Sequence, residues 1–273
     1  MNDADRLQRY IDVWRVMVAE NVALLRQLET DDWSKPTDLP GWNVRYIAAH
    51  LAHLESELAG NRQQQVDVPE APHIKSPMSV FTESGPLARA DWTTDQIIDE
   101  IESSAAKRAE ALRAMMPLDP SAPGDGFAGV VGWDWGTLLS NRIIDQWMHQ
   151  QDIRRAVGKP GGLAGPGGAH ALSVFSRSIP YVVGKRVAPP PGTTVVLDVS
   201  GEHTATLAAA VGEDGRAARL EGAPANPTVH IGMDFETFIV LSGGRRTPDQ
   251  VTASVAGDAE LGNAILANLA VTL

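Results

Sequence analysis

The sequence predicts an α+β protein of two domains, an antiparallel four-helix bundle in residues 1–160 and a small α+β domain in residues 169–273. In the first part, apolar residues recur every three or four positions over long segments, which is typical of amphipathic helices. Residues 161–168 are mostly glycine and favour no regular structure, so they are the predicted domain boundary. Beyond them, short β-branched segments indicate strands.

Four long helices are predicted in the first domain, near residues 5–29, 44–62, 94–115 and 136–157. The first helix illustrates the apolar spacing behind these assignments: Leu7, Ile11, Trp14, Val18, Val22 and Leu25. The second helix follows a turn at 38–42 and has Asn43 as its predicted N-cap. Helices of this length favour an antiparallel bundle. The long connection at 63–92 is expected to fold over one end of that bundle.

The second domain mixes predicted helices and strands. Its first helix is expected near residues 169–184. Strands are expected at 194–199, 204–211, 216–221, 227–232 and 250–255. Two further helices are expected at 234–242 and 258–270, and the chain has no internal repeat. This mixture predicts a small α+β domain.

Composition excludes several classes of function. The formal net charge is −11, with acidic residues spread along the chain, which disfavours a surface for nucleic acid or anionic lipid. No apolar run approaches the ~20 residues of a membrane span, and the polar, acidic N-terminus does not resemble a secretory signal. We therefore expect a cytoplasmic monomer or homodimer. Cysteine is absent, so His, Asp or Glu would hold any metal ion, and thiol chemistry would need an external thiol.

A polar group within the fourth helix indicates a metal site. Asp145, His149 and Asp152 fall within an arc of about 80° that also holds Arg142, on a helix whose remaining surface is largely apolar. Buried ionisable groups are costly unless they pair with each other or bind a metal. Two carboxylates and an imidazole therefore form a candidate half-site, which needs a partner from elsewhere in the chain.

His50 is the preferred partner, because it lies at the border of the apolar face of the second helix, roughly 90° from its centre. Metal sites in helix bundles are commonly built from facing side chains. His50, Asp145 and His149 would leave positions open for water or substrate, as a catalytic zinc requires. His53 and Glu57 are competitors closer to the solvent face. A hydrogen bond between His50 and Asp145, with no metal, is the other alternative.

The same residues belong to motifs that resemble the DinB-like, mycothiol-dependent maleylpyruvate isomerase family. Pro40-Gly-Trp-Asn-Val-Arg45, followed by Ala49-His-Leu51, is similar to the first motif of that family. A carboxylate, His149 and Asp152-Ile-Arg154 are similar to its second motif. The resemblance implies a DinB-like metal-binding domain in which His50, Asp145 and His149 occupy the ligand positions, with zinc as the expected ion. The family usually has Glu where this chain has Asp145, so the helix would need to sit closer to the ion, or a water would bridge.

The second half of the chain resembles the companion domain of that family, including Leu241-Ser-Gly-Gly-Arg-Arg246 and Gly257-Asp258. The resemblance implies that Arg245 faces the active site or the thiol cofactor, with Arg246 as an adjacent possibility. It also matches Asp152 to an acidic position tied to activity. Without the resemblance, Arg245 is interpreted equally well as a solvated turn residue. For Asp152 the alternative to a functional role is a partner of Arg154 or Arg155.

The implied chemistry is thiol-dependent. A coordinating thiol is deprotonated by zinc, and the thiolate is the nucleophile. In an isomerase it would add to the cis double bond of a maleylpyruvate-like acid or another small electrophile, permit rotation and leave; in an S-transferase it would stay attached. Asp152 could orient a ligand or handle a proton, and Arg245 could bind a carboxylate bidentately. The alternatives are a non-catalytic metal- or ligand-binding protein and a metal-dependent hydrolase.

Other aromatic and histidine residues are interpreted as structural. The glycine-rich segment 124–136 is expected to be a packed loop, with Trp133 or Trp135 at the mouth of a pocket as the alternative reading. Trp42 is expected to pack in its turn. Four histidines lack neighbours that could act as ligands and are expected to be ordinary surface or hydrogen-bonded residues: His73, His170, His203 and His230.

Overall fold

The computed structural model describes residues 2–71, 74–116 and 118–272, so His73 lies outside the described residues. The chain forms two compact units, residues 1–160 and 161–273. Helices make up the regular structure of the first unit, whereas the second unit combines helices with a five-stranded sheet. The predicted division into a helical first part and a mixed α+β second part is confirmed. Within the described residues, no helix is both long and apolar enough to cross a membrane.

The first unit contains the four long helices that the apolar spacing predicts, together with two shorter ones. They are α1 (Asp3–Leu25), α2 (Val44–Leu58), α3 (Pro77–Ala88), α4 (Thr94–Met115), α5 (Gly126–Val130) and α6 (Trp135–Val157). Side-chain N-caps define where α2, α4 and α6 begin, because Asn43, Thr93 and Asp134 each accept a hydrogen bond from a first-turn backbone N–H. Gly158 ends α6 in the left-handed conformation.

Helices α3 and α5 are absent from the sequence prediction. The start of α3 is nevertheless encoded locally, because Ser76 and Ser79 form a capping box and Pro77 occupies the first turn. Gly85 and Pro86, which disfavour a helix interior, obscure that signal. Helix α5 is a single short turn within the segment expected to be a packed loop.

The four long helices pack on one another, and two of the contacting pairs are antiparallel. Along α2 and α6, Glu55 pairs with Arg142, whereas His50 lies beside Asp145, so the chain positions run in opposite directions. Along α1 and α4, Arg26 pairs with Glu102, and the guanidinium of Arg108 lies over the ring of Trp14. Those two pairs agree with the predicted antiparallel arrangement.

The prediction is wrong for the other two contacting pairs, which run parallel. Asn21 bonds to Gln146, and Gln27 bonds to Lys159, so α1 and α6 run in the same direction. Arg45 bonds to the backbone just before α4, and Asn61 bonds to Ser104, so α2 and α4 also run in the same direction. A parallel neighbour requires the chain to return along the length of the helix. The 35-residue connection from Ala59 to Thr93, which contains α3, is long enough to do so.

A buried polar network joins α1, α2 and α6. Oε1 of Glu55 accepts hydrogen bonds from Nε1 of Trp14 at 3.1 Å, Nη2 of Arg142 at 2.8 Å and Nε2 of Gln146 at 2.9 Å. Gln146 in turn accepts from Asn21 at 2.6 Å. Glu55, Arg142 and Gln146 are fully buried. Charges in such a place are tolerated only when they are paired and hydrogen-bonded, so this network fixes the relative positions of the three helices.

The second unit is a mixed sheet with helices. Helix α7 (Pro166–Ser176) is followed by a short helix α8 (Ile179–Tyr181) and by a π-helical segment, residues 182–187, so the single helix predicted at 169–184 is broken. The strands are β1 (Thr194–Ser200), β2 (Ala205–Val211), β3 (Ala217–Arg219), β4 (Val229–Asp234) and β5 (Ser254–Gly257). Their order is β3-β2-β1-β4-β5, in which only the β1–β4 pair is parallel.

Three helices in the described part of this unit contact the sheet, and α8 contacts β2 and β3. Helix α9 (Phe235–Ser242) contacts β1 and β4, and α10 (Ala259–Ala267) contacts β4 and β5. The strand predicted at 250–255 begins later, at Ser254, because Thr247 and Gln250 form the capping box of a 3₁₀ turn. Gly257 has a positive φ of 85°, and a Cβ there would lie 2.5 Å from the carbonyl oxygen of Thr228.

Substitution of Glu55 by leucine should destabilise the protein. Glu55→Leu leaves Arg142, Trp14 and Gln146 short of a buried acceptor, and we expect the free energy of unfolding to fall by about 3 kcal/mol. Urea unfolding of the metal-free protein measures it. The control is Glu102→Leu, which removes the exposed ion pair with Arg26 and should change stability by less than about 1 kcal/mol. Equal effects of the two substitutions would contradict the role given to the network.

Candidate metal centre

The structure brings together the three residues that the sequence analysis chose as metal ligands. His50 from α2 and Asp145 and His149 from α6 offer ligand atoms that all lie within 4.8 Å of one another. Nε2 of His50 is 3.4 Å from Oδ1 of Asp145, and Nε2 of His149 is 3.6 Å from the same oxygen. Both imidazoles are buried, whereas the Asp145 side chain keeps 19 % of its surface exposed. Among the described residues, no other group of three His, Asp or Glu side chains meets in this way.

Two of the three separations between ligand atoms fit a tetrahedral ion. Zinc ligands at ~2.0–2.2 Å in tetrahedral geometry lie roughly 3.3–3.6 Å from one another, which agrees with the two separations between Asp145 and the histidines. The shorter Asp side chain thus places one oxygen 3.4 and 3.6 Å from the two imidazole nitrogens, and those nitrogens lie within 4.8 Å of each other.

The protonation states also suit a metal site. Burial alone would raise the pKa of the Asp145 carboxyl, but Arg142, His50 and His149 hold it well below its usual range. Nη1 of Arg142 donates to Oδ2 of Asp145 at 2.9 Å, which leaves Oδ1 directed at the histidines. Burial lowers the pKa of His50, against the opposing effect of Asp145, so its imidazole stays neutral. Metal binding needs this combination of an ionised carboxylate and a neutral imidazole.

Asp152 orients the ring of His149. Nδ1 of His149 lies 3.2 Å from Oδ2 of Asp152, and Nη2 of Arg155 donates to the other oxygen at 2.6 Å. Arg155 also donates to Asp38 at 2.6 Å. Because the Asp152 carboxylate is paired with Arg155 and acts as an acceptor, Nδ1 of His149 carries the hydrogen and Nε2 presents its lone pair to the centre. Asp152 therefore contacts both His149 and Arg155, the second of which is one of the two arginine partners that the sequence analysis considered.

Trp42 covers the two histidines, a role that the sequence analysis missed. The Trp42 ring centroid lies 5.0 Å from that of His50 and 5.9 Å from that of His149, with which it is stacked. Its indole N–H donates to Glu83 at 3.0 Å. Gly41 has a positive φ of 82°, which allows the tight turn that brings Trp42 over the start of α2. The Pro-Gly-Trp-Asn sequence before the N-cap was the available signal.

The remaining candidates are not members of this group of three residues. His53 and Glu57, the competitors of His50, are outside the group of three, and His53 bonds to Gln63 instead. Arg245 and Arg246 follow α9 in the second unit. The Arg245 side chain donates to the carbonyl of Gly243 at 2.7 Å and is half-buried, and Arg246 is exposed.

Two of the described histidines that the sequence analysis set aside have partners within the second unit. His203 bonds to the carbonyl of Leu163, and His230 bonds to Asp198. Neither is part of the group of three ligand residues.

Comparison with known proteins identifies a family for the first unit and a similar fold for most of the chain. The family model described as the mycothiol maleylpyruvate isomerase N-terminal domain matches residues 14–154. The crystal structure of the mycothiol-dependent maleylpyruvate isomerase has a TM-score of 0.54 and 18 % sequence identity, over 93 % of this chain and 96 % of that chain. A histidine-to-alanine mutant of the mycothiol-dependent maleylpyruvate isomerase gives a TM-score of 0.52 and 17 % identity over the same shares. No curated protein sequence gives a significant match.

Asp152 should contribute to metal affinity without being a ligand. Because it fixes the tautomer and orientation of His149, we expect Asp152→Ala to weaken zinc binding roughly 10- to 100-fold, measured by competition with a chromogenic chelator. The control is Asp198→Ala, which removes the exposed partner of His230 in the second unit and should leave affinity unchanged. An unaltered affinity in Asp152→Ala would show that His149 needs no orienting carboxylate.

Proposed function

We propose that this chain, which belongs to the mycothiol maleylpyruvate isomerase family, is a metalloenzyme that uses the thiol of mycothiol to act on a small electrophile. The observation that carries the proposal is the meeting of His50, Asp145 and His149, whose ligand atoms lie within 4.8 Å of one another, with Asp145 3.4 and 3.6 Å from the two histidines. Likeness to the solved isomerase over 93 % of the chain supports the same two-part organisation. Isomerisation of a maleylpyruvate-like cis-enoyl acid is the preferred reaction, and S-transfer to another electrophile is the second candidate.

Zinc is the proposed ion, held by His50, Asp145 and His149. When bound, it would supply a Lewis acid that lowers the pKa of a coordinating thiol. Arg142 keeps Asp145 ionised, Asp152 orients His149, and the Trp42 ring shields both imidazoles from water. These contacts hold the site ready for an ion, so little reorganisation would accompany binding.

The organisation of the chain follows the same proposal. We place a DinB-like four-helix metal-binding domain in residues 1–160 and the companion α+β domain in residues 169–273. Two compact units and the pairing of α1, α2, α4 and α6 support this assignment. We further propose a cytoplasmic location, in keeping with an acidic chain that uses a reduced thiol.

Metal analysis and thiol-dependent turnover test the proposal. The purified protein should hold about one zinc ion per chain, and His149→Ala should lose it, whereas the control His230→Ala should retain it. The zinc-loaded enzyme should convert maleylpyruvate only when mycothiol is present. A stable conjugate would indicate an S-transferase, and turnover without thiol would indicate a hydrolase. If zinc is bound but no thiol supports turnover, the protein would be a non-catalytic binding protein.

Arg245 is the proposed anion-binding residue. It matches the arginine that the family resemblance places at the active site or the thiol, and its guanidinium has the planar fork that binds carboxylates bidentately. Its Nη1 donates to the carbonyl of Gly243, the residue that caps α9, which anchors the side chain at the end of that helix. An arginine anchored in this way loses less conformational entropy on binding an anion.

Replacement of Arg245 by methionine separates this role from that of its neighbour. We expect Arg245→Met to raise KM for a carboxylate-bearing electrophile about tenfold or more, with zinc content unchanged. Arg246→Met, its exposed neighbour, should change KM less than about threefold. Steady-state kinetics at saturating mycothiol measures both. A larger effect in Arg246→Met would transfer the role to that residue.

A further inference from the structure

Four rings in the first unit form a continuous aromatic row that the proposed chemistry does not use. His53 from α2 packs on Phe81 from α3, with ring centroids 4.8 Å apart, and Phe81 packs on Phe127 from α5 at 5.1 Å. Phe127 then meets Trp133 at 6.0 Å. Phe81, Phe127 and Trp133 are half-buried, so the aromatic row extends from a buried imidazole towards the surface. Such rings offer apolar faces on which a flat ligand can pack.

His53 ends the aromatic row with an unpaired acceptor. Oε1 of Gln63 accepts from Nη2 of Arg89 at 3.1 Å and lies 3.1 Å from Nδ1 of His53. Because an amide oxygen only accepts, Nδ1 of His53 must carry the hydrogen, and Nε2 then presents a lone pair. That nitrogen is buried and has no hydrogen-bond partner among the described residues, and the His53 residue is 3 % exposed. Burial and the nearby Arg89 lower the pKa of His53 to about 4, so Nε2 remains an acceptor at neutral pH.

The ring of His53 fits in a space that Gly85 of α3 leaves open. A Cβ at Gly85 of α3 would lie 2.3–2.5 Å from three atoms of His53, so only glycine permits the close approach of α3. His53 also follows His50 by three residues, about 4.5 Å along α2, and the two imidazoles interact electrostatically. The acceptor is therefore adjacent to the candidate metal centre.

Further unpaired polar atoms lie beside Phe127. Oε2 of Glu57 and Oδ1 of Asp125 are buried and have no partner in the described chain. Burial raises the pKa of both carboxyls, which interact with each other and with Arg108. A Cβ at Gly126 would lie 2.8 Å from the Glu57 oxygen, so the carboxylate lies directly against the start of α5. Arg108 is itself fully buried, with three guanidinium nitrogens that lack a partner in the same residues.

This mixture of groups selects the chemistry of a ligand. An anion would meet two carboxylates and an imidazole lone pair, and a simple cation would meet Arg108. Hydroxyl groups can donate to His53 Nε2 and the carboxylates and can accept from the guanidinium. Unpaired buried groups of both kinds are each costly by about 1–3 kcal/mol, so a neutral ligand with several hydroxyls would relieve several of them together.

We propose that the aromatic row and the unpaired atoms of His53, Glu57 and Asp125 form a subsite for a neutral polyhydroxylated ring of the thiol cosubstrate. The identity of that cosubstrate rests on the proposed function. Its thiol would lie at the metal centre, and its sugar or cyclitol ring would pack on Phe81 and Phe127 one helical turn further along α2. His53 then acts as a specificity residue for the thiol rather than as a metal ligand.

Calorimetric titration with two thiols tests the subsite. Zinc-loaded wild type and His53→Phe are titrated with mycothiol, which carries a sugar and a cyclitol, and with N-acetylcysteine, which carries neither. We expect His53→Phe to bind mycothiol about tenfold more weakly, because one buried hydrogen bond is lost, and to bind N-acetylcysteine with unchanged affinity. Trp133→Leu, at the half-buried end of the aromatic row, should show the same selective loss, and His230→Phe in the second unit is the control. Zinc content and thermal midpoint are compared for every variant.

The outcomes separate the subsite from the proposed function. Equal losses for both thiols in His53→Phe, or no loss in either variant, would overturn the subsite. If wild type binds neither thiol, the proposed thiol chemistry fails, and the zinc-loaded protein is titrated with the neutral thiol-free ring system, N-acetylglucosaminyl inositol. Binding of that probe that is weakened in His53→Phe supports the subsite, and no binding to wild type overturns it.

Discussion

The first unit depends on one buried guanidinium. Arg142 is fully buried on α6 and donates to Glu55 of α2 on one side and to Asp145 on the other. An arginine side chain stays charged in a protein interior, so it is tolerated there only because two carboxylates compensate it. The same contacts hold α2 against α6 and keep Asp145 ionised beside the two histidines. The ion pairs of Arg142 therefore stabilise the packing of the core and also keep the candidate metal centre charged.

These ion pairs also fix the register between α2 and α6. Glu55 meets Arg142, and five residues earlier on α2 His50 meets Asp145, three residues later on α6. A slide of α2 by one residue would rotate both side chains by about 100° and separate both pairs. Trp14 and Gln146 reinforce the arrangement, because they also donate to Glu55. The relative positions of the two ligand-bearing helices thus follow from pairing in the core.

The sequence could predict the features that depend on residues close together in the chain, but not those that depend on contacts between distant segments. Helices α1, α2, α4 and α6 are set by apolar spacing and caps within each segment, so periodicity located them within a few residues. The polar face around Asp145 and the border position of His50 likewise follow from helical geometry. The parallel pairs depend on how connections cross the unit, which local spacing does not contain. Trp42, and the links from His53 through Gln63 to Arg89, join segments far apart in sequence and could be seen only once folded.

The two candidate imidazole ligands are held by different means. His149 is oriented through Nδ1 by the carboxylate of Asp152, the usual arrangement for a metal-binding histidine. Nδ1 of His50 has no hydrogen-bond partner among the described residues, and this ring is positioned by packing against Trp42 and by its edge-on contact with His149. A carboxylate partner raises the basicity of an imidazole, whereas ring packing does not. His149 should therefore be the stronger ligand, and the orientation of His50 should depend on the turn that carries Trp42. The Pro-Gly-Trp-Asn motif then serves the metal centre as much as it serves the start of α2.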